Sequence, residues 1–387
     1  MQKTIIINAH VISPGVDIEN ATIVLEGKKI KSVSAKKALA KPDKSTTIVD
    51  VKGQYVMPGF IDVHTHGALT YDFCDADEKA IFEIAKAKLQ EGVTTFLPTT
   101  LTVSHEELLV AANNAKNYAD KGSPYAKVPG IHLEGPFINS KCCGAQNPAF
   151  VRKPAIAEVK AIAKVYPVKL ISYAPETEGG AKFAKDCFKC GVVPSCGHTG
   201  AKLKEFMPAY KNGLRHLTHF CNQMTPLHHR EIGMVGAGFL IEDLNTEVIA
   251  DKIHLCPDML KLVFTRRNLA HVQIITDSLR CSHCKDGYAF EMGGLKVKLE
   301  NGEARLVEGG NLAGSTLWMG MGLKNAHDVT GLPLKDLVRT TSWNQAIELG
   351  WGDKLGKVEK GYTADLVVIN PRSWKPSAVF VDGEQRI

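Results

Sequence analysis

The segment FIDVHTHG, residues 60–67, places His64 and His66 one residue apart, directly after the Pro58–Gly59 turn. Side chains two residues apart on a β-strand point to the same side, so both imidazoles are predicted to aim at one point. Burying two imidazoles is costly unless a metal or a dense hydrogen-bond network receives them. The pair therefore raises the hypothesis of a buried metal centre.

Comparable side chains end five further strand-like runs. They are His132 and Glu134 in HLEGPF, His198 in CGHTG, His216 and His219 in HLTHF, His254 in DKIHL, and Asp277 in ITDS. A lone histidine at a strand end is more often structural, but six strands that end in this way favour a shared centre. Imidazole and carboxylate ligands without a thiolate set suit Zn²⁺ or Fe²⁺.

Such a centre predicts hydrolytic chemistry. A catalytic metal site keeps one position open for water, whose pKa the metal lowers to about 7, and the resulting hydroxide can attack a carbonyl carbon. Asp277 fits a general base that takes the proton of this water and later hands it to the leaving group. The alternative role of Asp277 is that of a plain metal ligand.

The elements that must hold these residues alternate between strand-like and helix-like stretches across residues 58–353. Eight strand-like runs are separated by stretches such as residues 75–92, where apolar residues recur three and four apart. This alternation predicts an α/β fold, a (β/α)₈ TIM-like barrel, with a doubly wound sheet as the structural rival. Strand-rich ends predict a small β-sandwich domain built from residues 1–57 and 354–387.

The composition argues against several classes of protein. The chain has 387 residues, a net charge of +6 and no basic run, so nucleic acid is not an expected partner. It shows no signal peptide and no apolar run of membrane-spanning length, so we expect a cytoplasmic protein without a membrane partner. Its ten cysteines, including the pairs Cys187/Cys190 and Cys281/Cys284, are then expected to be free thiols.

A series of motifs runs along nearly the whole chain: PGFIDVHTHG, GVTTFLPT, GIHLEGPFIN, GAQNP, GHTGA, THFCNQMTPLHHREIG, TDS, NLAGSTL and LGKVEKGYTADLVVIN. In this order they resemble the amidohydrolase superfamily and, within it, the N-acetylglucosamine-6-phosphate deacetylases. HxH is shared by many amidohydrolases, whereas HLEGPF and NLAGST are more specific to this group. The resemblance implies hydrolysis of the acetamide of N-acetyl-D-glucosamine 6-phosphate to D-glucosamine 6-phosphate and acetate, in amino-sugar catabolism.

The resemblance also implies a set of metal ligands. Glu134, His198 and His219 would hold the metal common to all members. His64 and His66 would hold a second ion, as in members that keep the HxH motif. One or two divalent ions per subunit, Zn²⁺ or Fe²⁺, are therefore expected.

The same resemblance implies how the substrate is handled. Asp277 would be the acid and base. Contacts with the phosphorylated sugar would come from Ala145, Gln146, Asn222, Gln223, Arg230, His254, Leu312, Ala313 and Gly314. Arg230 would reach the 6-phosphate in a neighbouring subunit, which implies a homodimer, and its planar guanidinium suits phosphate oxygens.

The sequence departs from the resembled group at Gln146, Gln223 and the pair Leu279–Arg280. Gln146 stands where some members have a histidine that polarises the acetyl carbonyl. An N-acetylgalactosamine-6-phosphate deacetylase or another amidohydrolase, such as a D-aminoacylase-like enzyme, stays open as an alternative. A barrel scaffold without chemistry is disfavoured, because the residues that the resemblance assigns to the metal and to proton transfer are all present.

Overall fold

The structure, a computed structural model, describes residues 3–35 and 46–387. Residues 1, 2 and 36–45 of the predicted terminal domain lie outside the described residues. The strands are β1 (Lys3–Ser13), β2 (Val16–Glu26), β3 (Lys29–Ser34), β4 (Thr46–Asp50), β5 (Tyr55–Pro58), β6 (Phe60–Thr65), β7 (Gly67–Ala68), β8 (Tyr71–Asp72), β9 (Val93–Thr100), β10 (Ile131–Glu134), β11 (Val168–Tyr173), β12 (Val193–Cys196), β13 (His216–Leu217), β14 (Asn245–Ile249), β15 (Val272–Ile275), β16 (Ala289–Met292), β17 (Leu295–Glu300), β18 (Glu303–Leu306), β19 (Leu366–Ile369), β20 (Pro376–Val381) and β21 (Glu384–Gln385). The α-helices are α1 (Lys79–Gln90), α2 (His105–Asp120), α3 (Ile156–Val165), α4 (Gly180–Lys189), α5 (Leu203–Lys211), α6 (Gly233–Leu240), α7 (Pro257–Arg266), α8 (Met319–Thr330), α9 (Leu334–Leu337) and α10 (Trp343–Glu348).

The central sheet has the strand order β15-β14-β13-β12-β11-β10-β9-β6, and all of its neighbours are parallel. Its first and last strands meet, because Asp277 N donates to His64 O at 2.8 Å and Thr276 Oγ1 donates to Asp62 at 2.5 Å. One α-helix, from α1 to α8, follows each strand in turn. The prediction of a (β/α)₈ TIM-like barrel is confirmed.

The local sequence explains the barrel elements. Every residue of β6 and of β9 is buried, as expected for parallel strands covered on both faces. Helix α2 begins at a capping box, in which Ser104 Oγ accepts from Glu107 N at 3.2 Å and Glu107 Oε2 accepts from Ser104 N at 2.9 Å. The box satisfies two backbone donors that the start of a helix otherwise leaves open.

Strands from both ends of the chain form a second sheet in the order β21-β20-β19-β5-β1-β2-β3, with β4 paired to β1. Its apolar core includes Ile6, Val11, Ile23, Val368 and Phe380. The predicted small β domain built from both termini is therefore confirmed as part of the fold, while its boundaries stay a prediction.

A feature that the sequence analysis did not predict lies between β15 and α8. Strands β16, β17 and β18 form a three-stranded antiparallel sheet, called here the hairpin insertion (residues 289–306). Met292 and Arg305 of the hairpin insertion line the cavity at the carboxyl ends of the barrel strands. In the described part of the chain, no helix combines the length and apolarity that crossing a bilayer requires.

Candidate metal centre and active site

Three predicted ligands converge at the carboxyl end of the barrel. His198 Nε2 lies 3.2 Å and His219 Nε2 lies 3.1 Å from Glu134 Oε1. The two Nε2 atoms are 3.0 Å apart. Two ligands that bind one Zn²⁺ tetrahedrally at about 2.1 Å lie about 3.4 Å from each other, so this spacing is close to that of a shared cation.

The HxH pair reaches the same carboxylate from the first strand. His64 Nε2 lies 3.3 Å from Glu134 Oε1, and His66 Nε2 lies 3.3 Å from Glu134 Oε2 and 3.2 Å from Asp277 Oδ1. Within the described residues, the fully buried His64 Nε2 has no partner with hydrogen-bond geometry. A buried ring nitrogen left unbonded among carboxylates fits a metal ligand, so these residues fit a divalent cation as well.

The charges of the site explain how it would accept a cation. Burial raises the pKa of Glu134, but His64 and His198 outweigh burial and hold this pKa well below its ordinary value. Burial lowers the pKa of His66, but hydrogen bonds with Asp277 and Glu134 raise it to about 9. The carboxylates thus hold a proton on His66, and a bound cation would displace it.

Three of the site residues share an unusual backbone conformation. His198, His219 and Asp277 have φ angles of 46°, 28° and 48°. Each lies two positions beyond the last residue of its strand, β12, β13 or β15. Residues other than glycine rarely occupy this left-handed region, and such strain concentrates at functional sites. The barrel strands therefore hold these three side chains in place by the same sharp turn.

A buried lysine helps to hold the first and last strands together beneath the site. Lys88 of α1 is fully buried, and its Nζ donates to Ser278 Oγ at 2.7 Å and to Glu91 at 3.0 Å. The backbone oxygen of Ser278 accepts from the N–H groups of His66 and Gly67, both at 2.9 Å. The chain that carries HxH is thereby tied to the chain that carries Asp277.

A cavity of about 320 Å³ opens above the centre. The predicted substrate residues that line it are Ala145, Gln146, Asn222, Gln223, His254, Leu312 and Gly314. Ala313 is buried behind this wall, where its N–H donates to Ala304 O at 2.9 Å. Arg230 lies on an exposed loop outside the lining, with its guanidinium 2.7 Å from His229 Nε2.

Two of the departures noted in the sequence acquire a structural meaning. Gln146 donates from its Nε2 to Glu134 Oε2, and its Oε1 accepts from Thr102 N at 2.7 Å. Leu279 is buried in the cavity wall, whereas Arg280 pairs with Asp75 at 2.6 Å outside the lining. Gln146 therefore orients the shared carboxylate, and Leu279 shapes the pocket.

The NLAGST segment packs directly on the predicted acid and base. Ser315 N donates to Asp277 O at 2.7 Å. Gly314 has a φ of 51°, and a Cβ at this position would lie 2.7 Å from Asp277 O. Because the position requires both a positive φ and the absence of a side chain, this glycine lets the loop approach Asp277.

Two histidines at strand ends do not face the centre. His132 places Nδ1 2.9 Å from Val63 O and Nε2 2.7 Å from Ser172 Oγ, and burial lowers its pKa to about 3. His216 places both ring nitrogens against carboxylates, Glu247 and Glu348. Neither ring has a nitrogen free for an ion. Of the two candidates that each of these strands offered, only Glu134 on β10 and His219 after β13 can therefore bind the metal.

Sequence reasoning missed two charged residues near the site. Arg305 of the hairpin insertion lines the cavity, and its charge acts on nearby His254. Glu247 lies fully buried on β14, next to His64. In the sequence, Glu247 interrupts the apolar run TEVIA, and a buried carboxylate in such a run is the signal that could have identified it.

The geometry is that of a metal-dependent hydrolase built on a barrel. The family model described as the amidohydrolase family matches residues 55–386. The chain therefore belongs to the amidohydrolase family.

Within that family, the chain is similar to deacetylases of phosphorylated amino sugars. It is 34% identical to the N-acetylglucosamine-6-phosphate deacetylase of Bacillus subtilis, over 91% of this chain and 89% of that protein. The crystal structure of the N-acetylglucosamine-6-phosphate deacetylase from Thermotoga maritima superimposes with a TM-score of 0.87 at 33% identity, covering 98% of this chain and 99% of the other. The N-acetylgalactosamine-6-phosphate deacetylase of Escherichia coli O157:H7 is 30% identical over 84% of this chain and 86% of that protein.

Proposed function

We propose that this enzyme hydrolyses the acetamide of N-acetyl-D-glucosamine 6-phosphate and releases D-glucosamine 6-phosphate and acetate, as a step of amino-sugar catabolism. The observation that carries the proposal is the convergence of Glu134, His198 and His219 on one point in a cavity that Asp277 also lines, next to His66. The names of the relatives support the choice of sugar.

The cofactor we propose is Zn²⁺ or Fe²⁺. Glu134, His198 and His219 would hold one ion, and His64 and His66 would hold a second one beside Glu134. When bound, such a cation supplies Lewis acidity to a carbonyl oxygen and lowers the pKa of water to about 7.

Asp277 is placed to move the proton. Burial raises the pKa of its carboxyl group, but His64 and His66 outweigh burial and lower this pKa, so the group is ionised and can accept. It lines the cavity, where it would take a proton from the water that attacks the acetyl carbon. As the C–N bond breaks, Asp277 would return this proton to the departing amine nitrogen, which leaves a neutral amine and acetic acid. The acid then passes its own proton to the released amine, so the products are the glucosamine ammonium ion and acetate.

Positive charge in the cavity suits the 6-phosphate. Burial lowers the pKa of His254, but its hydrogen bond of 2.6 Å with Asp251 outweighs burial and raises this pKa, which favours an imidazolium. Arg305 adds a guanidinium from the hairpin insertion. The exposed Arg230 would add another from the partner subunit of a homodimer.

The role of these cations predicts a selective loss of affinity. Arg305→Ala should raise KM for N-acetyl-D-glucosamine 6-phosphate by about tenfold or more and leave KM for N-acetyl-D-glucosamine unchanged, because charge-assisted hydrogen bonds to phosphate are lost. In a dimer, Arg230→Ala should likewise raise KM for the phosphorylated sugar alone. Sedimentation measures whether the enzyme is a dimer.

Lys298→Ala, which removes a cation from the same hairpin insertion outside the cavity lining, is the matched control and should change neither constant. Equal effects of an arginine variant on both sugars would show that this arginine does not bind the phosphate.

The proposed reaction is tested by acetate release from four compounds. Metal-loaded protein should act fastest on N-acetyl-D-glucosamine 6-phosphate, more slowly on its galacto epimer, and with far lower kcat/KM on unphosphorylated N-acetyl-D-glucosamine and on an N-acetyl-D-amino acid. The galacto epimer is the second candidate, because one relative carries that name. Preference for the epimer would select it, and preference for the amino acid would reject both sugars.

We also infer a cytoplasmic location. All ten cysteines lie within the described residues, and all are free thiols. Free thiols, several of them exposed or half-buried, fit a reducing compartment.

A further inference from the structure

A row of charged side chains extends into the barrel from the candidate metal centre. At its upper end, Glu247 of β14 is completely buried. It faces three donors: His64 Nδ1 at 2.9 Å, His216 Nε2 at 3.0 Å and the backbone N–H of His219 at 3.0 Å. Glu247 thus contacts the imidazole ring of one predicted ligand, His64, and the backbone of another, His219.

This row of charged side chains continues toward the amino ends of the barrel strands. His216 Nδ1 lies 2.9 Å from both carboxylate oxygens of Glu348, on helix α10. Asn245 and Gln273 donate to Glu348 at 2.8 Å and 2.6 Å. Burial lowers the pKa of His216, but the two carboxylates raise it to about 10, so an imidazolium lies between two anions.

The contacts of Glu247 determine which nitrogen of His64 is free. An ionised carboxylate can only accept, so the proton of a neutral His64 ring stands on Nδ1. Its Nε2 lone pair then points toward Glu134 and Asp277, 3.3 and 3.5 Å away. When a histidine binds a metal through one ring nitrogen, a carboxylate that accepts from the other ring nitrogen orients the ring and raises its basicity.

We propose that Glu247 is a positioning residue of the metal centre, which holds Nε2 of His64 toward the cation and fixes the backbone of His219. The inference rests on the metal centre of the proposed function and is independent of the identity of the sugar. A direct ligand role for Glu247 would need His132 as a companion, and both nitrogens of His132 are already bonded.

Metal affinity tests this inference. In E247Q an amide of the same size cannot accept from both His64 and His216, so binding of the ion held by His64 and His66 should weaken about 10–100-fold. E348Q is the matched control. It makes the same change at the other end of the row of charged side chains, where Glu348 contacts no predicted ligand, and its metal affinity should stay within about twofold of the wild type. Competition with a chelator measures the metal affinity of both variants. H64N removes a ligand of the ion held by His64 and His66, so the affinity that this variant loses identifies that ion.

Two further readouts separate positioning from general stability. The visible spectrum of the cobalt-loaded protein should change in E247Q and stay unchanged in E348Q. If E247Q does not fold, ¹⁵N spectra of histidine-labelled, zinc-loaded wild type decide, because His64 should carry its proton on Nδ1.

Two results would overturn the inference: an E247Q protein that binds metal as tightly as the wild type, or a His64 ring protonated on Nε2. A protein that behaves as expected here but releases no acetate from any N-acetylated sugar phosphate would reject the proposed function and leave this inference standing.

Discussion

Asp277→Asn should lower kcat for N-acetyl-D-glucosamine 6-phosphate by about 10²–10⁴-fold while the metal content stays at the wild-type level. The amide keeps the size of the side chain but cannot accept the proton of the attacking water or return it to the amine. Asp277 lies in the cavity wall, 3.2 Å from His66, so it is close enough to the centre to act on the reacting atoms. Steady-state kinetics and elemental analysis of the same preparation measure both quantities.

The control for this variant is Asp243→Asn, which makes the same change at an exposed carboxylate paired with Arg215. Its turnover should equal that of the wild type. Near-normal turnover of the Asp277 variant would remove Asp277 from the proton transfer. Loss of metal together with activity would instead assign Asp277 the role of a plain ligand.

Glu134→Gln should weaken metal binding by at least about 100-fold and abolish acetate release with it, because a direct ligand contributes more than a residue that only hydrogen-bonds to a ligand. Glu134 Oε1 lies within 3.3 Å of three ring nitrogens, those of His64, His198 and His219. Oε2 faces His66. An uncharged amide removes the anion that gathers these rings around one point.

Isothermal titration of the metal-free protein with Zn²⁺ measures this loss. Glu291→Gln, at an exposed carboxylate of the hairpin insertion, is the control and should bind Zn²⁺ normally. Wild-type affinity in the Glu134 variant is incompatible with a centre built on this carboxylate.

The barrel and the convergence of its ligands were predictable because both follow from local patterns. Every residue of β6 and β9 is buried, and the sequence shows this as continuous apolar and threonine-rich runs. Parallel strands place their carboxyl ends at one face, so Glu134, His198 and His219 had to lie near each other once the strands were recognised.

Other features depend on long-range contacts that a single sequence does not reveal. The sequence analysis placed His132 and His216 at strand ends with the true candidates, but they lie near the beginnings of β10 and β13. There they form hydrogen bonds with Ser172 and Glu348, from distant segments. Arg305 reaches the cavity only because the hairpin insertion folds over the barrel mouth. The positive φ angles at strand ends likewise have no signature in residue type.

Anomalous diffraction at the zinc edge, from crystals of zinc-loaded protein, tests the central claim most directly. We expect an anomalous peak within about 2.2 Å of Glu134, His198 and His219, since zinc binds carboxylate and imidazole ligands at this distance. A second peak near His64 and His66 would establish a two-metal centre. Crystals that bind zinc elsewhere and show no peak among Glu134, His198 and His219 would contradict the account.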